Sequence, residues 1–297
     1  MSLNGIICIN KPQDFTSFDV VAKLRGILKE KRLGHAGTLD PMATGVLPVF
    51  VGFATKACDI LPESDKTYEA GFLLGKTADT QDCTGKILSQ KSIDGITSQK
   101  IESVLSSFRG DIMQIPPMYS AVSVNGQRLY ELARKGIEVP REPRPITVYK
   151  FSLIDYNETT GEGHFVISCS KGTYIRTLIH DVGEALGSGG IMTSLVRTEA
   201  AGFNLDDCVT FEELQRTTDF SKYILPIEKV FSDLPVIKLT EKQTGMYKNG
   251  IKLDVNRIVF DDIAERYAVY SEKEFLGTAF IDREKNELRI EKNFYNR

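Results

Sequence analysis

Histidine is scarce in this chain. His35, His164 and His180 are the only three, and they lie far apart. The five cysteines (Cys8, Cys58, Cys83, Cys169 and Cys208) are scattered, odd in number and lack any CxxC spacing. A zinc site needs clustered His and Cys, and a disulfide framework needs paired cysteines, so neither is expected. His180 with Glu184 is the one pair at helical spacing, too small a set for a catalytic metal. No apolar run approaches membrane-spanning length. The opening "MSLNGIICINKPQ" has no basic segment and only a short apolar run, so it reads as a strand and not as a signal peptide. Reduced thiols in a cytoplasmic protein are therefore expected. There is no G-x-S-x-G, and no cysteine stands beside a plausible histidine base, which removes the common nucleophile triads. Positive charge is not in excess either: 37 Lys+Arg face 40 Asp+Glu, a net charge of −3. That weakly disfavours a nucleic-acid partner, although the placement of the cations matters more than their sum.

What the chain does have is enough length and apolar content for a full core. Its 297 residues, 41% hydrophobic and 26% charged, suit one large soluble domain, or one domain plus a small one. Gly5–Asn10 reads as a strand ended by Pro12. Ser17 reads as the cap of a helix with Phe18, Val21, Leu24 and Leu28 on its apolar face. "VLPVFVG", "TYEAGFLLG", "ITVYKFSLIDY", "HFVISCS" and "MTSLVRTEAAGF" read as strands. "SQKIESVLSSF" and "TYIRTLIHDVGEALG" read as helices. Residues 109–145 are proline-rich, carry Arg128, Arg134, Lys135, Arg141 and Arg144, and hold one short helix near 127–134. They read as an excursion from the core, mobile until it meets a partner. After about Leu234, "YAVYS", "FLGTAFID" and "ELRIEK" predict a small β-rich domain.

Two segments invite a chemical reading. "AGFLLGKT", Ala70 to Thr77, fits a relaxed phosphate-loop pattern. Its interior is strand-like, however, and no amphipathic helix follows to present its N-terminus to phosphates. The second is "GHAGTLDPMATG", residues 34–45, punctuated by glycine and proline around Asp40. An aspartate before proline commonly caps a turn. The alternative is a carboxylate held at a fixed angle for covalent or base chemistry.

"GHAGTLDPMATGVLP" closely resembles the catalytic motif of the TruB family of tRNA pseudouridine synthases. Further matches follow in order along nearly the whole chain. "GIICINKPQDFTS" resembles the family's opening motif, and "SDKTYEAGFLLGKTADTQDCTG" resembles its active-site tyrosine strand. "IPPMYSAVSVNGQRLYELARKG" resembles its RNA-gripping insertion, and "SCSKGTYIRTLIHDVGEALG" its arginine motif. "SLVRTEAAGF" also fits.

The resemblance implies an α+β fold with a mixed, largely antiparallel sheet flanked by helices. It implies a catalytic domain over 1–234, with the insertion at about 109–145, and a small PUA-like β domain over 235–297. The implied activity converts the T-loop uridine of tRNA (position 55) to pseudouridine by base flipping, glycosidic cleavage and C5–C1′ rejoining. It uses no cofactor and no metal, and its partner is the tRNA T-stem-loop. A monomer with no membrane association is expected.

Residue by residue, Asp40 is implied as the catalytic aspartate, which could stabilise, attack or deprotonate the ribose side of the reaction. Tyr68 is implied as the active-site tyrosine, with a stacking ring and a hydroxyl near C5. Arg176 is implied as the partner that keeps Asp40 ionised and aimed; a helix start is otherwise a poor place for a cation. His35, Tyr174, Leu195 and Arg197 are expected to bind or line the nucleotide pocket. Lys11 and Pro12 are expected to support the Tyr68 side. Arg128, Arg134 and Arg141 are expected to meet the RNA backbone, as is the group Lys23, Arg25, Lys29, Lys31 and Arg32.

Overall fold

In a computed structural model, residues 3–62, 65–260 and 264–295 are described. A ten-stranded mixed sheet forms the body. Across its middle run Cys208–Val209, Gly5–Lys11, Thr44–Val51, Gly190–Ala200, Lys66–Leu74, Glu162–Cys169, Arg144–Tyr156 and Gly110–Gln114. All of these pairings are antiparallel except two, Gly5–Lys11 with Cys208–Val209 and Thr44–Val51 with Gly190–Ala200.

The burial of each strand follows from what covers it. Gly5–Lys11 and Thr44–Val51 are apolar at nearly every position because both of their faces are packed. Ile7, Ile9, Leu47 and Val49 pack on Val20, Val21, Leu24 and Leu28 of the helix Ser17–Leu28. Ile6, Val46 and Phe50 pack on the other side with Phe231, Phe275 and Phe294. Lys66–Leu74 alternates instead. Tyr68, Ala70, Phe72 and Leu74 pack toward Leu178, Ile179 and Val182 of the helix Ile175–Ala185. The second five-stranded sheet (Val236–Lys238, Leu253–Asp254, Tyr267–Tyr270, Phe275–Asp282 and Glu287–Asn293) has its own core around Tyr247, Tyr267 and Leu276. Phe275 and Phe294 tie it to the main body, as do Arg266 on the carbonyl of Ile60 and Lys56 on Asn293.

Several local expectations change. Thr16, not Ser17, caps the first helix, in a capping box with Asp19. Phe18 is 65% exposed, and the buried stripe uses Val20 in its place. Gly110–Gln114 is the edge strand of the main sheet, so the excursion begins only after Gln114. Ala70–Leu74 lies within a strand and is followed by another short strand, Lys76–Ala78, which leaves no phosphate-binding helix start. The helix Glu241–Lys248 escaped the sequence because Tyr247 is its one buried residue and Gly245 interrupts it.

Candidate active site

Strand register gathers the site. Lys11 pairs with Gly45, Gly45 with Arg197, Arg197 with Tyr68, and Tyr68 with Ile167, forming one transverse row across five strands. Gly45 belongs in that row for a steric reason. Its φ is +99°, and a Cβ there would come within 2.2 Å of the Arg197 carbonyl oxygen. The strand carrying Arg197 can therefore close on the end of the 34–45 loop.

That loop is held by buried side chains. The Ser17 hydroxyl accepts from Leu39 N–H at 2.9 Å and lies 3.4 Å from the Leu39 carbonyl. Lys11, wholly buried, donates from Nζ to the carbonyls of Pro12 (2.9 Å), Phe15 (2.6 Å) and Pro41 (3.1 Å). Arg197, also wholly buried, donates to the carbonyls of Val46 (2.7 Å) and Gly37 (3.2 Å). The turn at Asp40 closes through its backbone, with Ala43 N–H donating to the Asp40 carbonyl at 3.0 Å. The carboxylate is thus not the group that caps the turn.

It meets Arg176 instead. Nη2 of Arg176 lies 3.3 Å and 3.4 Å from the two carboxylate oxygens and donates at 2.7 Å to the carbonyl of Tyr119. Nη1 stands 3.9 Å from Asp82. Asp82 is a residue the sequence reading passed over. Its other oxygen is fixed by the hydroxyls of Thr80 and Thr84 and by the Thr84 N–H, the signature of an Asx turn visible in "DTQDCTG". Two carboxylates thus answer an arginine at a helix start, where the dipole opposes it.

Burial raises the Asp40 pKa. Arg176 opposes that shift, Asp82 adds to it, and Lys11 opposes it. Burial also lowers Lys11 to about 8. Tyr68 is 6% exposed, and its phenol is pushed up to about 12 by burial, with the Arg197 guanidinium pulling the other way. Burial and the nearby Arg197 charge lower the His35 pKa, favouring neutral imidazole. Among the described residues no group of three or more His, Cys, Asp and Glu forms a metal site.

Residues 25–175 match the N-terminal domain of the TruB family pseudouridylate synthases, and residues 176–232 match the tRNA pseudouridylate synthase B C-terminal domain. A Clostridium tetani (strain Massachusetts / E88) protein named tRNA pseudouridine synthase B is 41% identical over 279 residues, covering 93% of this chain and 94% of its own. The chain belongs to the TruB family. A Bacillus cytotoxicus relative of the same name is 45% identical over 260 residues, 84% of each chain. Among solved structures, a chain of a Cbf5-Nop10-Gar1 complex superposes with a TM-score of 0.76 at 28% identity, over 99% of this chain and 85% of that one.

The family motifs converge unequally. Asp40, Tyr68, Arg176 and Leu195 share one region; Leu195 is buried in the cluster that holds Tyr68 and Leu39. Tyr174 is half-buried, with the Arg176 guanidinium 5.9 Å from its ring centre. Arg197 departs from its expected place as a pocket-lining contact. It is 0% exposed, stands beside Tyr68 in the strand register and donates to the carbonyls of Gly37 in the loop and Val46 in the next strand. Arg128, Arg134 and Arg141 lie on the segment after Gln114 and make other contacts. Arg128 bonds the Ala121 carbonyl, Arg134 lies over the Tyr130 ring, and Arg141 bonds the Pro116 carbonyl and Glu138.

Proposed function

We propose that this protein isomerises the T-loop uridine of tRNA (position 55) to pseudouridine, with Asp40, Tyr68 and Arg176 as its catalytic residues. The observation that carries this is the Asp40 carboxylate, free of turn duty in a loop braced by Ser17, Lys11 and Arg197, and paired with Arg176.

The reaction breaks N1–C1′, turns the uracil and joins C5 to C1′. N1 gains a proton and C5 loses one, so the atoms balance without a co-reactant. Cleavage builds positive character at C1′, and a fixed carboxylate is the group to meet it. Arg176 opposes the rise that burial gives the Asp40 pKa and so favours the ionised carboxylate. The Tyr68 ring stacks on the extruded base. Its hydroxyl, protonated at neutral pH, gives its proton to N1, and the phenolate left, stabilised by the Arg197 guanidinium, takes the C5 proton after rejoining. His35 and Tyr174 hold the flipped nucleotide, while Arg128, Arg134 and Arg141 face the T-stem backbone.

The enzyme needs no cofactor or metal and works as a cytoplasmic monomer, with residues 235–297 as a PUA-like domain. Among the described residues no helix is long and apolar enough to cross a membrane. Incubating the protein with an unmodified T-stem-loop and mapping pseudouridine tests the reading; the modification should fall at the T-loop uridine, and its absence would refute it.

A further inference from the structure

Gln114 ends the edge strand Gly110–Gln114, at the point where the chain leaves the sheet for the insertion. Its side chain is almost wholly buried, at 3% exposure. The amide makes two bonds to a single residue. Nε2 donates to the Tyr174 carbonyl at 3.0 Å, and Oε1 accepts from the Tyr174 N–H at 2.8 Å. A neighbouring strand would pair with Tyr174 through its backbone in the same two-bond manner. Here a side chain does it, with an amide that sets donor and acceptor side by side in one planar group as a peptide unit does.

Tyr174 is the N-cap of the arginine helix and has no side-chain cap of its own. The start of that helix is therefore fixed from outside, by Gln114. Arg176 lies two residues further on. Its Nη2 donates to the carbonyl of Tyr119, five residues beyond Gln114. The stretch from Gln114 to Tyr119 thus grips Tyr174 and Arg176 at two points, a side chain at one and a carbonyl at the other. The contacts from Arg176 to Asp40 are already long, at 3.3 Å and 3.4 Å. Shifts of a few tenths of an ångström decide whether they function as hydrogen bonds.

We propose that Gln114 is a positioning residue for the reaction. It sets Tyr174 and Arg176 in register with Asp40, and so ties the geometry of the catalytic pair to the strand from which the RNA-gripping insertion departs. The proposal rests on the reading of Asp40 and Arg176 as that pair.

The test compares the wild-type protein with Gln114→Ala and Gln114→Met in single-turnover pseudouridine formation at saturating T-stem-loop RNA. RNA affinity and melting temperature are measured on the same samples. Methionine keeps the side-chain volume and removes both hydrogen bonds. Both variants should lose about tenfold to a hundredfold in the chemical rate constant, the range that misplacement of a reacting group produces. RNA affinity should stay within about threefold. The acid limb of the rate profile should move to higher pH in both, because Arg176 opposes the upward pull of burial and Asp82 on Asp40, with Lys11 unchanged.

A wild-type rate in Gln114→Met would make the role one of packing and overturn the proposal. So would an unmoved acid limb, or a rate loss matched by equal losses in affinity and folded fraction. Asp40→Asn in the same assay separates this from failure of the underlying reading. If that variant turns over normally, or the wild type forms no pseudouridine, the catalytic pair itself is wrong. If only the Gln114 variants behave as wild type, the positioning role alone is wrong.

Discussion

The loop 34–45 and the segment 115–143 are both irregular, proline-containing and polar, yet their backbones are satisfied in opposite ways. In the loop, the bracing groups are wholly or almost wholly buried and come from other elements: Ser17 on the first helix, Lys11 on the first strand, Arg197 on the central strand. In the segment, cations of the segment itself bond its own carbonyls, Arg128 to Ala121 and Arg141 to Pro116. A carbonyl held by the core cannot shift without disturbing packed strands. One held by its own half-exposed arginine can be released when a phosphate takes that arginine. On the proposed function, the chemistry sits on the first kind of backbone and the grip on the second. They meet at Arg176, which bonds Asp40 of the loop and the Tyr119 carbonyl of the segment.

The largest effects should come from the braced side. Tyr68→Phe keeps the stacking ring and removes the hydroxyl. Turnover should fall by about 10²–10⁴, the usual worth of a positioned proton-transfer group, with RNA binding intact. Single-turnover assays beside filter binding check this, and unchanged turnover would leave Tyr68 a packing role. Arg176→Lys should cost about 10²-fold, since a point charge replaces a planar fork. It should also move the acid limb upward. Burial already raises the Asp40 pKa, and a weaker opposing cation leaves more of that rise in place. A rate profile with an unmoved limb would detach Arg176 from Asp40.

Ser17→Ala should act through structure. It leaves the buried Leu39 N–H unpaired, at a cost of about 1–3 kcal/mol. Denaturant melts should record that loss together with a smaller fall in rate. Equal stability would mean the loop does not need the clasp.

The segment side should respond differently. Neutralising Arg128, Arg134 and Arg141 together should weaken binding and flatten its salt dependence, each lost phosphate contact removing about 0.7–0.9 from the logarithmic slope. The chemical step at saturating RNA should change least. Lys242 and Lys248 form the comparison pair, and Lys248 is already engaged by Glu274. If that pair matters more than the arginine trio, the second sheet is the main anchor for RNA.

Much of this was legible in the sequence. Alternation and apolar runs marked the strands, and the expected pieces near 267, 275 and 287 fall on observed strands. Asp40, Tyr68 and Arg176, the proposed catalytic residues, stand in motifs that the sequence displays. The bracing roles were not legible there. Ser17 looked like a cap because the hydroxyl that caps stands one residue earlier, at Thr16, and nothing local shows that Ser17 reaches 22 residues ahead to Leu39. Arg197 was expected to line the nucleotide pocket because its motif resembles one that does; only register shows it enclosed between Gly45 and Tyr68. Gln114 read as part of a proline-rich excursion, since its partner is 60 residues away. Long-range polar contacts of this kind leave no periodic trace.

On the proposed function the braced loop supplies the reacting carboxylate and the segment supplies the grip. Asp40→Asn, assayed at saturating T-stem-loop for single-turnover pseudouridine formation and separately for RNA affinity, tests it most directly. The variant should give no detectable product, with affinity within about threefold of wild type and folding unchanged, as expected when a group acts in the transition state alone. Product formation near the wild-type rate would contradict it, as would a loss of affinity large enough to explain the loss of product.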